Sequence, residues 1–352
     1  MLGEMMRSKT QKQRLAKNGV EGMPKILVTG GAGFIGSNMV AALLAGGGYQ
    51  VVVCDQFGSD DKWRNLAKHT VTEFVAPRDM FIWLEMFGDE VEAVIHMGAI
   101  SSTTEKDVDL ILETNHTLSL ALMRWCTQNQ VRFIYASSAA TYGDGSAGFD
   151  DSYDPRYLAR LKPLNPYAWS KHSVDLHLVA RVMANDPMPP QWVGLKFFNV
   201  YGPNEYHKGN QRSVACTIFP DAKAGKPVKL FKSHRPDYQD GGQLRDFIHV
   251  KDCVQVILWM LANPQVSGLF NVGTGQARSF ADLAHAVFAA LGKPPSIEYI
   301  DMPEAIRDRY QYFTQAEMGR LYAAGYRQPF TSLEEGVRDY VQNYLMQDDP
   351  YL

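Results

Sequence analysis

The chain has 352 residues, 45% hydrophobic and 21% charged, with a formal net charge of −3. That composition is ordinary for a soluble globular protein, and the length suits one sizeable domain with a smaller partner or two comparable lobes. So small a charge supplies no overall field to draw nucleic acid or an anionic membrane, and no apolar run approaches the ~20 residues of a membrane span. The four cysteines, Cys54, Cys126, Cys216 and Cys253, form no C-x-x-C pair or zinc spacing, which points to reduced thiols in a cytoplasmic protein and to no metal.

Residues 1–23 are basic, with Arg7, Lys9, Lys12, Arg14 and Lys17, and lack the apolar stretch of a secretory signal. They read as a leader outside the fold: a disordered tail, an upstream start before Met23, or a targeting arm. From Lys25 short apolar β-branched runs alternate with longer amphipathic segments. Lys25–Thr29, Val51–Asp55, Ala93–His96, Phe133–Ser137 and Val193–Phe197 predict buried parallel strands, because each is short and bounded by turn residues or charge. Phe34–Ala45, Val108–Asn129 and Tyr167–Ala184 have helical length and period. The alternation predicts an α/β fold with a doubly wound parallel Rossmann sheet.

After Asn199 the rhythm breaks. Val200–Asp246 is rich in Gly, Pro, Lys, Arg and His, with a predicted helix at Arg212–Ala224 and strand at Val228–Phe231. Asp252–Leu261 and Phe280–Leu291 read as helices, Gly268–Val272 as a strand, and the tail from Ser296 as a strand with terminal helices. We expect a dinucleotide-binding domain from 24–199 and 246–294, and a smaller discontinuous substrate domain from 200–245 and 295–352.

Gly30, Gly33 and Gly36 follow the first strand and open a helix. Glycines there allow a tight turn and close approach of a pyrophosphate to the helix N-terminus. Three glycines alone also fit a structural turn; their position after the first strand strengthens the dinucleotide reading. Asp55, ending the second strand, is the expected ribose ligand, with capping of the next helix as its competitor. Such an acid favours NAD and repels a 2′-phosphate, while Lys62 and Arg78 offer compensating cations for NADP; the physics leaves the choice open.

Ser137, Ser138 and Thr141 stand at the end of the fifth strand, where ligands gather on such sheets. A hydroxyl there can hold a substrate oxygen and stabilise charge; the plain alternative is a strand-end cap. We favour Ser138 for the contact and Ser137 and Thr141 as its supports. Tyr167 and Lys171, four apart, share one helix face, so the lysine charge can favour the tyrosinate. A tyrosine near ~10 must be lowered to act as acid or base at neutral pH, and Lys171 with a cationic nicotinamide ring could do so. Alone, the pair would more often be incidental on a surface helix.

The glycine loop, Ser137–Gly143, the Tyr167/Lys171 pair and Phe197-Phe-Asn199-Val-Tyr-Gly-Pro203 resemble the extended short-chain dehydrogenase/reductase family of nucleotide-sugar enzymes. Ser101–Glu105, Glu205-Tyr-His-Lys208-Gly209, Arg245-Asp-Phe247, Phe270–Gly275 and Arg309–Gln315 resemble more narrowly its ADP-heptose 6-epimerases, over roughly Met23 to Tyr344. The resemblance implies tightly bound NADP, oxidation of the heptose at C6 and reduction on the opposite face, with Tyr167 and Lys208 as opposed acid/base groups. Lys208 could otherwise be a loop lysine on the ADP phosphates. By the same resemblance Phe34, Ile35, Asp55, Gln56, Lys62, Met97, Gly98, Ala99, Ile100, Ser101, Asn115, Lys171 and Val200 hold the cofactor. Asn199, Asn210, Thr217, Phe231, Arg245 and Tyr310 contact substrate. Arg245 suits a diphosphate through its planar fork, against a salt bridge to Asp246. A cytoplasmic homo-oligomer is implied, a pentamer among the candidates, with lipopolysaccharide precursor synthesis as the setting.

Met97, Asn210 and Thr217 stand where that family is associated with glutamate, serine and histidine, and Ser233–Leu244 is longer than its compact loop. His234 and Asp240 there read as a solvated loop, with no third ligand spaced to close a metal site. A UDP-hexose 4-epimerase or a dehydratase is the nearer alternative, though Ala139-Ala140-Thr141 supplies no carboxylate beside the tyrosine. A non-catalytic dinucleotide sensor or scaffold is the alternative of another class; the presence of Ser138, Tyr167 and Lys171 argues against it.

Overall fold

Runs of buried branched residues set the frame. In β1 (Lys25–Thr29) Ile26, Leu27 and Val28 are wholly inaccessible to solvent, and each such side chain contributes about 1.5–3 kcal/mol by leaving water. The computed structural model describes residues 22–307 and 310–352. Nearly all of the basic leader, and Arg309 of the Arg309–Gln315 motif, lie outside the described residues.

Around β1 stand α1 (Phe34–Gly46), β2 (Gln50–Cys54), β3 (Glu73–Val75), α2 (Met80–Phe87), β4 (Val91–His96), α3 (Leu118–Asn129), β5 (Arg132–Ser138), α4 (Pro166–Met183) and β6 (Trp192–Phe197). Then follow β7 (Asn199–Tyr201), α5 (Val214–Lys223), β8 (Val228–Phe231), β9 (Leu244–His249), α6 (Val250–Ala262), β10 (Gly268–Val272), β11 (Ala277–Ser279), α7 (Phe280–Ala290), β12 (Ile297–Ile300) and α8 (Leu333–Tyr340). Seven strands pair in parallel in the order β10-β6-β5-β4-β1-β2-β3. Leu27 lies opposite Val52 on one side and Val94 on the other. The order reverses between β1 and β4, and the crevice beyond the strand ends at that reversal is where a doubly wound sheet binds ligands.

The strand and helix expectations hold within a residue or two. The short elements β3, α2, β7 and β11 were not expected, nor was the six-residue strand β9, which crosses the end of the Val200–Asp246 stretch read as irregular. Nor was the six-residue π turn Leu112–Thr117 that leads into α3. Such turns carry an extra residue per turn and cluster at functional sites; here the turn brings Asn115 inward.

Outside the large sheet, β11-β9-β7 and β12-β8 form two small sheets. Among the described residues two apolar cores form. The first follows the seven-stranded sheet and also takes in Ala316, Met318, Leu321 and Tyr326. The second joins Ala215, Phe219, Val228, Leu283, Val287, Phe288, Val337 and Tyr340. Thus α7, grouped with the dinucleotide domain by the 246–294 boundary, packs in the second core, and residues 316–326 of the expected substrate domain pack in the first. The cause is helix partnership: α7 lies against α5 and α8.

Candidate active site

A cleft of about 1450 Å³ opens at the reversal point, larger than the 300–1000 Å³ of a usual small-molecule site. One wall is the turn from β1 into α1. Gly30 sits at φ +65°, and a Cβ there would lie 2.5 Å from Gly98 N. At Gly36 a Cβ would lie 2.1 Å from Gly30 O. Only hydrogen fits at either point. Gly33 caps α1 without a side-chain hydrogen bond, so the first-turn N–H groups of a 13-residue helix face the cleft without a capping side chain, as a pyrophosphate requires. The residues therefore fit a dinucleotide.

Across the turn, Thr29 Oγ1 and His96 Nδ1 are 2.6 Å apart, and His96 Nε2 lies 2.8 Å from Ser119 Oγ. Burial pushes His96 down to about 3, so the ring is neutral and its two nitrogens tie β1, β4 and α3 together. Asn115 is wholly buried. Its Oδ1 accepts from Ile100 N at 2.8 Å, and its Nδ2 donates to Ile100 O at 2.9 Å and Ser170 Oγ at 3.1 Å. It therefore fixes the backbone of the Met97–Ser101 segment, which lines the cleft, and is not itself on the wall.

At the far end of β2, Asp55 Oδ2 accepts from Ala32 N at 2.8 Å. Its Oδ1 accepts from Gln56 N at 2.7 Å and from Lys62 Nζ at 2.6 Å. The helix-capping alternative falls to Asp60, whose Oδ1 accepts from Lys62 N at 3.0 Å. Arg78 reaches the cleft from an exposed position, its Nε 3.4 Å from Asp79.

The opposite wall is built by β5 and α4. Asn165 Oδ1 accepts from Ala168 N at 2.8 Å and Pro166 occupies the first turn, which starts α4 one residue before Tyr167. Tyr167, Lys171 and Ser138 all line the cleft. Part of the Tyr167 side chain meets the cleft, yet the protein crowds it enough that burial raises its hydroxyl above the ordinary tyrosine value, and a hydrogen bond with Ser138 draws it back. The expected lowering by Lys171 is not what the protein alone provides. Lys171 Nζ donates instead to Ala136 O at 2.8 Å, and its own burial lowers it to about 8, with Asp175 opposing. Ser138 also does what the plain reading assigned, accepting from Ala140 N at 3.1 Å.

Ser137, which also borders the cleft, and Thr141 direct their hydroxyls into a buried polar cluster. Ser137 Oγ donates to Asp175 Oδ2 at 2.8 Å, and Tyr135 OH donates to Asp175 Oδ1 at 2.8 Å. Lys196 Nζ donates to the same carboxylate at 2.6 Å and to Thr141 Oγ1 at 2.8 Å. Lys196 and Asp175 are both wholly buried. Neither was singled out in the sequence, although a lysine inside the apolar strand Trp192–Phe197 is a signal that a counter-charge must exist.

Lys208 enters from the turn Tyr206–Gln211, with its Nζ 5.2 Å from the Phe34 ring centre. Burial lowers its ammonium, and the nearby Glu205 carboxylate opposes that. Val200 and Asn210 share this wall with His207 and Gln211, the last two unforeseen.

The remaining expected substrate contacts lie off the cleft. Phe231 and Tyr310 meet edge to face at 6.2 Å, and the Arg245 guanidinium sits 5.3 Å over Tyr310 and 5.6 Å over Phe280. The salt bridge to Asp246 is absent: Asp246 accepts from Thr274 N at 2.7 Å, Gly275 N at 2.9 Å and Ala316 N at 2.9 Å. Asn199 is exposed, 3.4 Å from Thr314 Oγ1. Thr217 is exposed on α5 and donates to Ser213 O. In the long loop His234 Nε2 accepts from Met302 N at 3.3 Å and Asp240 Oδ1 from Ser233 N at 2.8 Å.

Residues 26–273 match the profile of the NAD dependent epimerase/dehydratase family. An ADP-L-glycero-D-manno-heptose-6-epimerase of Nitratidesulfovibrio vulgaris (strain Hildenborough) is 50% identical over 329 residues, 93% of this chain and 99% of that protein. The crystal structure of the Helicobacter pylori enzyme of the same name superposes with a TM-score of 0.75 at 30% identity, covering 93% of this chain and 98% of that one. The UDP-glucose 4-epimerase of Thermus thermophilus, solved in complex with NAD, gives 0.68 at 30% identity over 90% and 97%. With a glycine-turn cleft at the strand reversal and Tyr167, Lys171 and Ser138 on its wall, the chain belongs to the NAD dependent epimerase/dehydratase family.

Proposed function

We propose that the protein interconverts ADP-D-glycero-D-manno-heptose and ADP-L-glycero-D-manno-heptose by transient oxidation at C6, using tightly held NADP, in the supply of lipopolysaccharide core precursors. The observation that carries this reading is that Tyr167 and Lys208, from separate elements, line the same cleft as the dinucleotide turn. The names of relatives at 50% and 30% identity support the substrate.

The turn from β1 to α1, Asp55, Gln56 and the Met97–Ser101 segment would hold the dinucleotide. When bound, the nicotinamide ring supplies the two-electron exchange at the sugar carbon. Tyr167 would take the hydroxyl proton at its phenolic oxygen and return it, with Ser138 donating to hold that oxygen in place. Lys208 Nζ would serve the opposite face of C6. Inversion requires the ketone to turn over before hydride returns, which carries its oxygen to the other wall of the cleft, where a second acid/base group, Lys208, would meet it. Lys171, protonated below about pH 8, would hold the ribose and supply positive charge. Phe231, Arg245 and Tyr310 would take the ADP end beyond the cleft mouth, with Asn199, Asn210 and Thr217 as further substrate contacts.

For the cofactor, Lys62 offsets the Asp55 charge at 2.6 Å, which removes the main objection to a 2′-phosphate and supports NADP over NAD. The nucleotide released on denaturing freshly purified protein tests this: NADP is expected, and NAD or an empty protein would count against it. The reading includes a cytoplasmic homo-oligomer. Among the described residues no helix is long and apolar enough to cross a membrane.

A further inference from the structure

The turn that carries Lys208 is short and would be a poor platform by itself. Its fixation comes from outside. Asn204, at φ +75°, donates through Nδ2 to Ser37 Oγ at 3.0 Å, and His207 Nδ1 lies 3.2 Å from Asn65 Nδ2 on the neighbouring turn Asp61–Leu66. The segment Asp349–Leu352 then crosses both turns. Tyr206 OH donates to Pro350 O at 2.8 Å, and the Tyr206 and Tyr351 rings meet edge to face at 5.1 Å. The Arg64 guanidinium lies 4.6 Å over the Tyr351 ring. Leu352 N donates to Asn204 Oδ1 at 3.0 Å, while Lys68 Nζ donates to Tyr351 O at 2.7 Å and pairs with Asp349 at 3.1 Å.

We infer that Asp349–Leu352 is a strap that positions Lys208: by clamping Tyr206 to Arg64 across the two turns, it sets how the Lys208 ammonium projects into the cleft. Tyr351 is the centre of the strap. It is 8% exposed, and its contacts run through its ring, its backbone carbonyl and its backbone N–H, which donates to Asp349 Oδ1 at 3.3 Å, so the ring and not the hydroxyl is what the strap needs. The segment makes no contribution to the cleft wall, so its effect on turnover must pass through the turns it holds. A displacement of about 1 Å at a reacting group can cost up to ~10²-fold in rate, and a turn released on one side would move by that order.

The inference rests on the proposed role of Lys208 for its kinetic half only. Amide hydrogen exchange over residues 204–211 reads the strap without any reaction. In Tyr351→Ala we expect those amides to exchange at least about tenfold faster, kcat on ADP-heptose to fall about tenfold, and the bound nucleotide to be retained. Tyr351→Phe should restore both values. In a Lys208→Met background Tyr351→Ala should cost nothing further, because the two act through one group. Unchanged exchange, faster exchange with unchanged kcat, or an equal kcat loss in the Lys208→Met background would each overturn the strap. If the unsubstituted protein leaves ADP-heptose untouched, the proposed function fails while the exchange result still judges the strap. Should Tyr351→Ala not fold, Tyr206→Phe removes the hydroxyl that bonds Pro350 O while keeping the ring, and is read on the same two quantities.

Discussion

At the scale of single residues, the proposed chemistry rests on a tyrosine that the protein by itself holds in its neutral form. Burial raises Tyr167 and only Ser138 relieves it, so without cofactor the phenol stays protonated, and the positive ring of the bound cofactor is expected to favour the tyrosinate that accepts the proton. Tyr167→Phe should lower kcat by about 10²–10⁴-fold with the nucleotide still bound, measured by initial rates on ADP-heptose; unaltered turnover would remove Tyr167 from the reaction. Lys171 has a sign that can be checked. Its folded value of about 8 lies below the ordinary 10.5, so between those values the unfolded chain binds more protons and stability rises with pH. Urea titrations of the protein and of Lys171→Met should therefore diverge between about pH 8 and 10.5, the unsubstituted protein gaining with pH and the variant not. The glycines, Tyr167 and Lys171 were legible in the sequence because each serves a fixed local geometry. Asp175 was not, because its partners Tyr135, Ser137 and Lys196 lie 40, 38 and 21 residues away, a distance no spacing rule spans.

Among the elements, the strands of the large sheet with four or more buried residues and the long helices could be read from the chain, since burial imposes its period on the sequence, whereas β9, with five buried residues, could not, because Arg245 and Asp246 break its apolar run. The three-residue strands β3, β7 and β11 could not, because edge pairing rather than an apolar pattern holds them. The π turn before α3 escaped for a related reason: one extra residue shifts the helical phase, and Asn115 then points at Ile100. Two elements invite substitution. Gly36→Ala would set a Cβ 2.1 Å from Gly30 O, a backbone atom that cannot yield cheaply, so the β1–α1 turn should open. We expect loss of bound nucleotide and a lower Tm, read by denaturation release and thermal melting. Lys196→Met would leave the Asp175 carboxylate buried without its ion pair, a change that costs about 3–5 kcal/mol. Urea unfolding is the check, and replacing Asp175 with an apolar residue in the same chain should recover much of the loss.

Over the whole molecule, a cleft of about 1450 Å³ has one wall from the sheet and another from the Val200–Gln211 segment. The side groups proposed to take the ADP end, Phe231, Arg245 and Tyr310, gather beyond it in the region of the second core. Motif matching named these residues but could not assign α7 to its core, because helix partnership is decided by packing across segments distant in sequence. The proposed reaction requires this joint construction: one wall keeps the cofactor, and both handle protons. Lys208→Met should thus impair the interconversion while leaving nucleotide content unchanged; equal loss of both would give Lys208 a phosphate-binding role instead. The central claim is that a stereocentre is inverted by removing and restoring the same hydrogen. Incubation of the pure protein with ADP-D-glycero-D-manno-heptose in D2O, followed by proton NMR, tests it most directly. We predict conversion to a mixture of the two C6 epimers with hydrogen retained at C6 and no added nucleotide required. Absence of interconversion, or deuterium entering at C6, would contradict it.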